Sequence, residues 1–264
     1  MIPRATHRGT APLVVFLLLI GCNSPEKQLE RAGELRRAGD LEGSAAAYAR
    51  ASSSELPDIG GVALLGQAEL AIDDGDPRQA EELCQTAVTR FPGSEPAGEC
   101  LRIQARLRVV DGDPWGAIEA LRLFLEQRPD DPANEEVRFT VAQRYLDLSD
   151  PAQARLEWNA QLEAFPDGRL ACDARLGVAL THDVAGDCDL AVPAFRRVIS
   201  EHPATPQAAE AMVGEAGCLE ARGDLDAAER LYRKAQPLHP NPAMVLQRLE
   251  GLERSRWVRD PPQK

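Results

Sequence analysis

A glycine–aspartate pair returns along this 264-residue chain at almost constant spacing: Gly39-Asp40, Gly75-Asp76, Gly112-Asp113, the variant Ser149-Asp150, Gly186-Asp187 and Gly223-Asp224, at intervals of 36, 37, 37, 37 and 37 residues. Proline keeps the same period at Pro92, Pro129, Pro166, Pro203 and Pro240. Chance does not hold a register over five intervals. A repeat of this length is one supersecondary unit, and such a unit buries its apolar face only by stacking on its neighbours.

The residues between the pairs say what the unit is. Five residues after each glycine, or after Ser149, comes a small side chain: Ser44, Ala80, Ala117, Ala154, Ala191 or Ala228. Seven residues before it comes Ala32, Ala68, Ala105, Ala142, Ala179 or Ala216. Small groups at both phases let two antiparallel helices approach closely. Nine residues after the glycine sits a larger group, Tyr48, Cys84, Leu121, Trp158, Phe195 or Tyr232, placed to fill the gap between neighbouring hairpins. The glycine suits the left-handed end of a first helix, and the aspartate caps a second. Pro77, Pro114 and Pro151 follow it at the first helical position, where a missing N–H costs nothing. The recurring proline then stops the second helix. Strand formers make no alternating run, while alanine and leucine abound, so the chain reads as all-α.

This succession of small, small, large and proline resembles the tetratricopeptide repeat family over about residues 25–256. The family's unit has about 34 residues. The longer unit here places its excess in the inter-repeat loop, which sequences such as Phe91-Pro92-Gly93-Ser94 and Phe165-Pro166-Asp167-Gly168 open. That lengthened unit is similar to the envelope members of the family, such as the lipoprotein of the outer-membrane β-barrel assembly machinery and the Tol–Pal-associated coordinator. The resemblance implies a right-handed superhelical solenoid of about six helix-turn-helix units, at about 25–58, 61–97, 98–134, 135–171, 172–208 and 209–245. A capping helix is expected at 243–256, where Val245, Leu246, Leu249 and Leu252 recur at helical spacing, with a flexible tail at 257–264. The first unit departs most from the pattern, with Ser44 at a small position and no proline in phase. Pro193, inside the second helix of the fifth unit, is expected to kink or delay that helix.

The resemblance also implies a partner-binding groove lined by the first helices. The family's groove phases fall on Leu65, Glu69, Ile72 and Asp73 in the second unit and on Arg102, Arg106, Val109 and Val110 in the third. They continue through Phe139, Gln143, Leu146 and Asp147 in the fourth unit and Leu176, Leu180, Asp183 and Val184 in the fifth. Packing against neighbouring helices is the alternative for several of the apolar ones. The lysine–asparagine clamp that chaperone-tail binders of the family use for a terminal carboxylate is absent.

Residues 1–22 read as an address. Arg4, His7 and Arg8 make a mildly basic start, and residues 13–20 read LVVFLLLI. Eight residues reach only about 12 Å as a helix, against roughly 30 Å of hydrocarbon core. The stretch therefore fits a secretory signal at 1–21 better than a membrane span. Leu19-Ile20-Gly21-Cys22 resembles the lipobox of bacterial lipoproteins. That implies cleavage before Cys22, acylation of Cys22 and durable anchoring by several acyl chains. An ordinary signal peptide with a chance cysteine is the competing reading. Asn23 stands where an aspartate would favour inner-membrane retention in enteric bacteria, which points to the outer membrane. With 22–24 as tether and Ser24-Pro25 as cap and first residue of a helix, the folded part begins almost at the lipid.

Charge narrows the partners. The formal charge is −12, and removal of residues 1–21, which hold Arg4, Arg8 and no acid, takes it to −14. Such a surface repels nucleic acid. The six aspartates are caps by phase rather than a carboxylate array. His202 and His239 directly precede closing prolines and are expected in exposed loops, and His182 is expected packed or half-exposed. Cys-x-x-Cys, His-Glu-x-x-His, phosphate-loop and Gly-x-Ser-x-Gly patterns are missing. The expectation is a protein without catalysis, cofactor, metal or small-molecule substrate, whose partners are envelope proteins or peptide segments. Two functional readings stay open: a scaffold for outer-membrane protein assembly, and a pilotin-type lipoprotein that helps a secretin ring assemble.

Five cysteines follow Cys22. Cys84 lies nine residues after Gly75 and Cys100 twelve before Gly112, while Cys188 lies two after Gly186 and Cys218 five before Gly223. Both pairs join a second helix to the next first helix at matching depth, so disulfides Cys84–Cys100 and Cys188–Cys218 are expected. Cys172 and Cys188 begin the two helices of one hairpin, about 20 Å apart, which leaves Cys172 a free thiol. Replacing Cys22 by Ala should release a soluble or uncleaved protein. Unchanged membrane fractionation of that variant, beside a wild type that takes up no labelled lipid, contradicts the anchor.

Overall fold

The computed structural model describes residues 24–259; the expected secretory signal at 1–21, the expected lipidation site Cys22 and Asn23 lie outside them. Among the described residues there are thirteen α-helices and no strand. They are α1 (Pro25–Arg37), α2 (Leu41–Ala51), α3 (Val62–Asp73), α4 (Pro77–Arg90), α5 (Glu95–Val110), α6 (Pro114–Gln127), α7 (Asn134–Asp147), α8 (Pro151–Ala164), α9 (Ala171–Val184), α10 (Cys188–Glu201), α11 (Pro206–Ala221), α12 (Leu225–Ala235) and α13 (Pro242–Arg259). The chain divides into two compact units, one ending at Arg128 with α1–α6 and one beginning at Pro129 with α7–α13. Within each unit every helix packs on the next.

Each hairpin turns on its Gly-Asp corner. Gly39, Gly75, Gly112, Gly186 and Gly223 all take φ between +75° and +84°. The following aspartate donates its backbone N–H back into the helix just ended, as Asp76 does to the Ala71 carbonyl at 2.8 Å. Its carboxylate accepts from the helix about to begin: Asp76 from the Gln79 N–H at 3.0 Å, Asp113 from Gly116 at 2.9 Å, Asp224 from Ala227 at 3.1 Å. Ser149 adopts the same corner at φ +57°, a conformation that costs a residue with a Cβ about 1–2 kcal/mol.

The closing proline acts through the residue before it. Phe91, Arg128, Phe165 and His202 leave the helix with φ near −130° and ψ of 51–65°, because the proline ring excludes helical geometry there. Of the two effects expected of Pro193, a kink or a delay, the delay does not occur: helix α10 starts in phase at Cys188 and runs to Glu201 with Pro193 inside it. At the start of α1, Ser24 takes an extended conformation but makes no side-chain bond to the helix backbone.

The small phases are the places of closest approach: Ala32, Ser44, Ala68, Ala80, Ala142, Ala154, Ala179 and Ala191 are all fully buried. In three repeats the large phase finds its seat on a glycine of the next first helix. A Cβ on Gly66 would stand 2.5 Å from the Tyr48 ring and one on Gly177 2.8 Å from Trp158, while one on Gly214 would intrude on the Phe195 ring. Long polar side chains strap the inter-repeat loops: Arg90 donates to the Ser52 and Ser54 carbonyls at 2.8 and 3.0 Å, and Arg128 to the Gly93 carbonyl at 2.9 Å. Gly93 itself sits at φ +76°. Gly214→Ala should therefore destabilise the protein by about 1–3 kcal/mol, the usual cost of overpacking. Chemical denaturation checks it, and Phe195→Leu in the same chain should recover part of the loss. No loss in the single variant contradicts the seat.

Candidate partner-binding faces

In the unit ending at Arg128 the groove phases lie on α3 and α5. Leu65 is half-buried against neighbouring helices, whereas Ile72 is 37% exposed at the end of α3. Glu69 and Asp73 are held by Arg36 of α1, at 2.5 and 3.5 Å, an ionic ladder across adjacent first helices. On α5, Arg102 is half-buried and pairs with Glu99 at 3.0 Å, and Arg106 is exposed. Val109 and Val110 follow it three and four residues on, with Val110 84% exposed. Arg108 turns instead to Glu81 and Asp113, at 2.5 and 3.3 Å. This face is thus apolar and basic at its α5 end, in a chain whose formal charge is −12.

In the unit beginning at Pro129 the phases lie on α7 and α9. Phe139 is half-buried, its ring 6.1 Å from that of Trp158. Leu176 and Leu180 pack on the cluster around Phe195 and Ala179. Those three are half-buried and take part in packing within the unit. Gln143, Leu146, Asp147 and Val184 are exposed. Burial raises the pKa of Asp183, and the positive charge of Arg248 opposes the shift. Between α11 and α13 of the same unit lies a cavity of about 440 Å³ lined by Glu220, Met244, Gln247, Arg248, Gly251 and Arg254. The Tyr232 hydroxyl donates to Glu220 at 3.2 Å, and burial, with the Glu220 charge, pushes its pKa up to about 12. The groove phases of the sixth unit and of the capping helix fall on Glu220 and Arg254, which sequence reasoning missed.

The cysteines divide. Cys188 and Cys218 are joined by a disulfide, with Cα atoms 5.5 Å apart. Asp183 Oδ1 lies 3.4 Å from the Cys218 sulfur, but with both sulfurs bonded to each other no thiolate is left there to hold a metal. Where a second bridge is expected, Cys84 and Cys100 are thiols instead, both buried and in hydrogen-bonding contact. Cys172 is a half-buried thiol.

The histidines correct the loop expectation. His239 is buried, accepts from the Asn241 N–H at its Nδ1 and meets Glu210 at its Nε2, 2.6 Å away. It fixes the entry to α13. His202 is half-buried at the end of α10. For His182 burial, then the charge of Arg155, lowers the pKa.

A tetratricopeptide repeat model matches residues 29–95, 65–132 and 176–242. No curated protein matches the sequence. Among solved structures the fold is similar to YrrB, described as a TPR protein with an unusual peptide-binding site, at a TM-score of 0.56 and 15% identity, over 72% of this chain and 92% of that one. A tetratricopeptide repeat protein from Parabacteroides merdae ATCC 43184 matches at a TM-score of 0.53 and 16% identity, over 87% of this chain and 98% of that one. MamA matches at 0.52 and 18%, over 69% and 92%. At such identities the likeness is one of fold, but the sequence matches together span well over half of the chain, and the chain belongs to the tetratricopeptide repeat family.

Proposed function

We propose that this chain is a lipid-anchored, non-enzymatic scaffold of the bacterial envelope that holds segments of other envelope proteins on its first-helix faces and serves outer-membrane protein assembly. The observation that carries the binding part is the α5 face: Arg106, Val109 and Val110 are exposed together on the first helix of a repeat whose other faces are consumed by packing. Exposed apolar groups rimmed by charge mark contact surfaces. YrrB, with its peptide-binding site, is a precedent for such use of the fold. The anchor and the outer-membrane location rest on the basic start, the apolar run 13–20, Cys22 and Asn23.

Arg102→Glu together with Arg106→Glu should lower partner capture by roughly tenfold or more, as loss of a central interface arginine does, and leave helicity unchanged by circular dichroism. Pull-down of the full chain after envelope crosslinking reads both capture and identity, with barrel proteins expected. Equal capture by the double variant removes this face as the principal site. Recovery of a secretin in place of barrel proteins overturns the outer-membrane assembly role in favour of secretin targeting.

A further inference from the structure

Cys84 and Cys100 stand to each other across the α4/α5 contact as Cys188 and Cys218 stand across α10/α11. Counted from the preceding glycine, Cys84 lies seven residues further along its helix than Cys188 does. Counted from the following glycine, Cys100 lies seven residues further back than Cys218 does. In an antiparallel pair the two displacements cancel, and seven residues make about two turns, so both pairs keep the same face and level. One pair is bonded and the other is two touching thiols with no exposed surface at all.

We infer that Cys84 and Cys100 form a folding-gated disulfide, made while α4 and α5 are still apart if a disulfide donor is present, and fixed as thiols or as a bond once the two helices have docked. The chemistry is thiol–disulfide exchange. One cysteine thiolate attacks a donor R–S–S–R and expels RS⁻, giving a mixed disulfide. The second thiolate attacks the protein sulfur of that mixed disulfide and expels the other RS⁻. Two cysteine thiols are oxidised, the donor is reduced to two thiols, and the two protons the cysteines lose end, by way of solvent, on the two expelled RS⁻ groups.

Both steps need a thiolate and a path to sulfur. Docked helices deny both. Neither sulfur-bearing side chain is exposed, and contact with Cys84, together with burial, pushes the Cys100 thiol well above its usual range. Cys172, by contrast, is half-buried and within reach of reagents. The bond, once made, closes a loop between positions sixteen apart and restrains the unfolded chain. It would give the unit ending at Arg128 the brace that the other unit already has. The state of the pair then records the redox conditions in which the chain folded.

Refolding the reduced, denaturant-unfolded full chain by two routes tests this. In one, a mixture of oxidised and reduced glutathione is present from the start. In the other, the chain refolds in reductant and meets the same mixture only when folded. Peptide mapping without reduction should find Cys84 linked to Cys100 by the first route. By the second, the pair should oxidise at least about tenfold more slowly than in denaturant, as a sulfur reached only through local opening does, while Cys172 reacts readily. The bridged form should melt roughly 5–10 °C higher than the thiol form. Free Cys84 and Cys100 after the first route, or equal rates in folded and unfolded protein, overturn the inference. Cys84→Ala is the companion: Cys100 that labels with maleimide as fast in this folded variant as in denaturant overturns the gating by burial.

Discussion

One residue in each repeat ties two helices together. The aspartate of the Gly-Asp corner gives its backbone N–H to the helix that ends and, through its carboxylate, takes the N–H three residues on in the helix that begins. Each bond is worth about 1 kcal/mol net, but their joint effect is geometric. With the glycine at positive φ the chain reverses at a fixed residue, which brings the two small phases opposite each other. The close approach leaves a gap between hairpins, and in three repeats the large phase fills it against a glycine of the next first helix. Ser149 takes the strained corner without a glycine, which shows that the hairpin geometry outranks the local preference of the residue that must supply it.

Much of this was legible because each phase is set by local backbone chemistry. The aspartate caps, the left-handed glycines, the stopping prolines and the paired alanines all lie within a few residues of what they act on. The seats of the large residues were missed for lack of that locality. Tyr48 and Gly66, Trp158 and Gly177, Phe195 and Gly214 are 18–19 residues apart and on different hairpins. Their signal was still present, as complementary size: where Cys84 is the large-phase residue, Ile103 replaces the glycine. The division at Arg128 and Pro129 has no trace in a uniform period. Nor could a loop position foretell that His239 would be enclosed by Glu210 and Asn241. The groove was legible by phase but not by direction. Its late phases, Ile72, Val110, Leu146 and Val184, are exposed, while its early ones, Leu65, Phe139 and Leu176, turn inward.

Packing therefore consumes the small and large phases and leaves the ends of the first helices to vary. The end of α5 carries Arg106 with valines, that of α3 Asp73 with Ile72, and those of α7 and α9 Asp147 and Asp183 with Leu146 and Val184. Charge of opposite sign beside similar apolar groups is how a repeat fold acquires selectivity without altering its core. The disulfide belongs to the same logic. Cys188 and Cys218 join a second helix to the next first helix, so their bond restrains the unfolded chain and leaves the exposed helix ends untouched.

The central claim is that these exposed first-helix ends are the working surface. Photoreactive side chains placed one at a time at Val110 and Val184, and at the exposed second-helix positions Leu156 and Leu190, test it in cells that make the protein. The account predicts discrete crosslinked partners from Val110 or Val184 and none from Leu156 and Leu190. Discrete partners from the second-helix positions, with the first-helix positions silent, would contradict it.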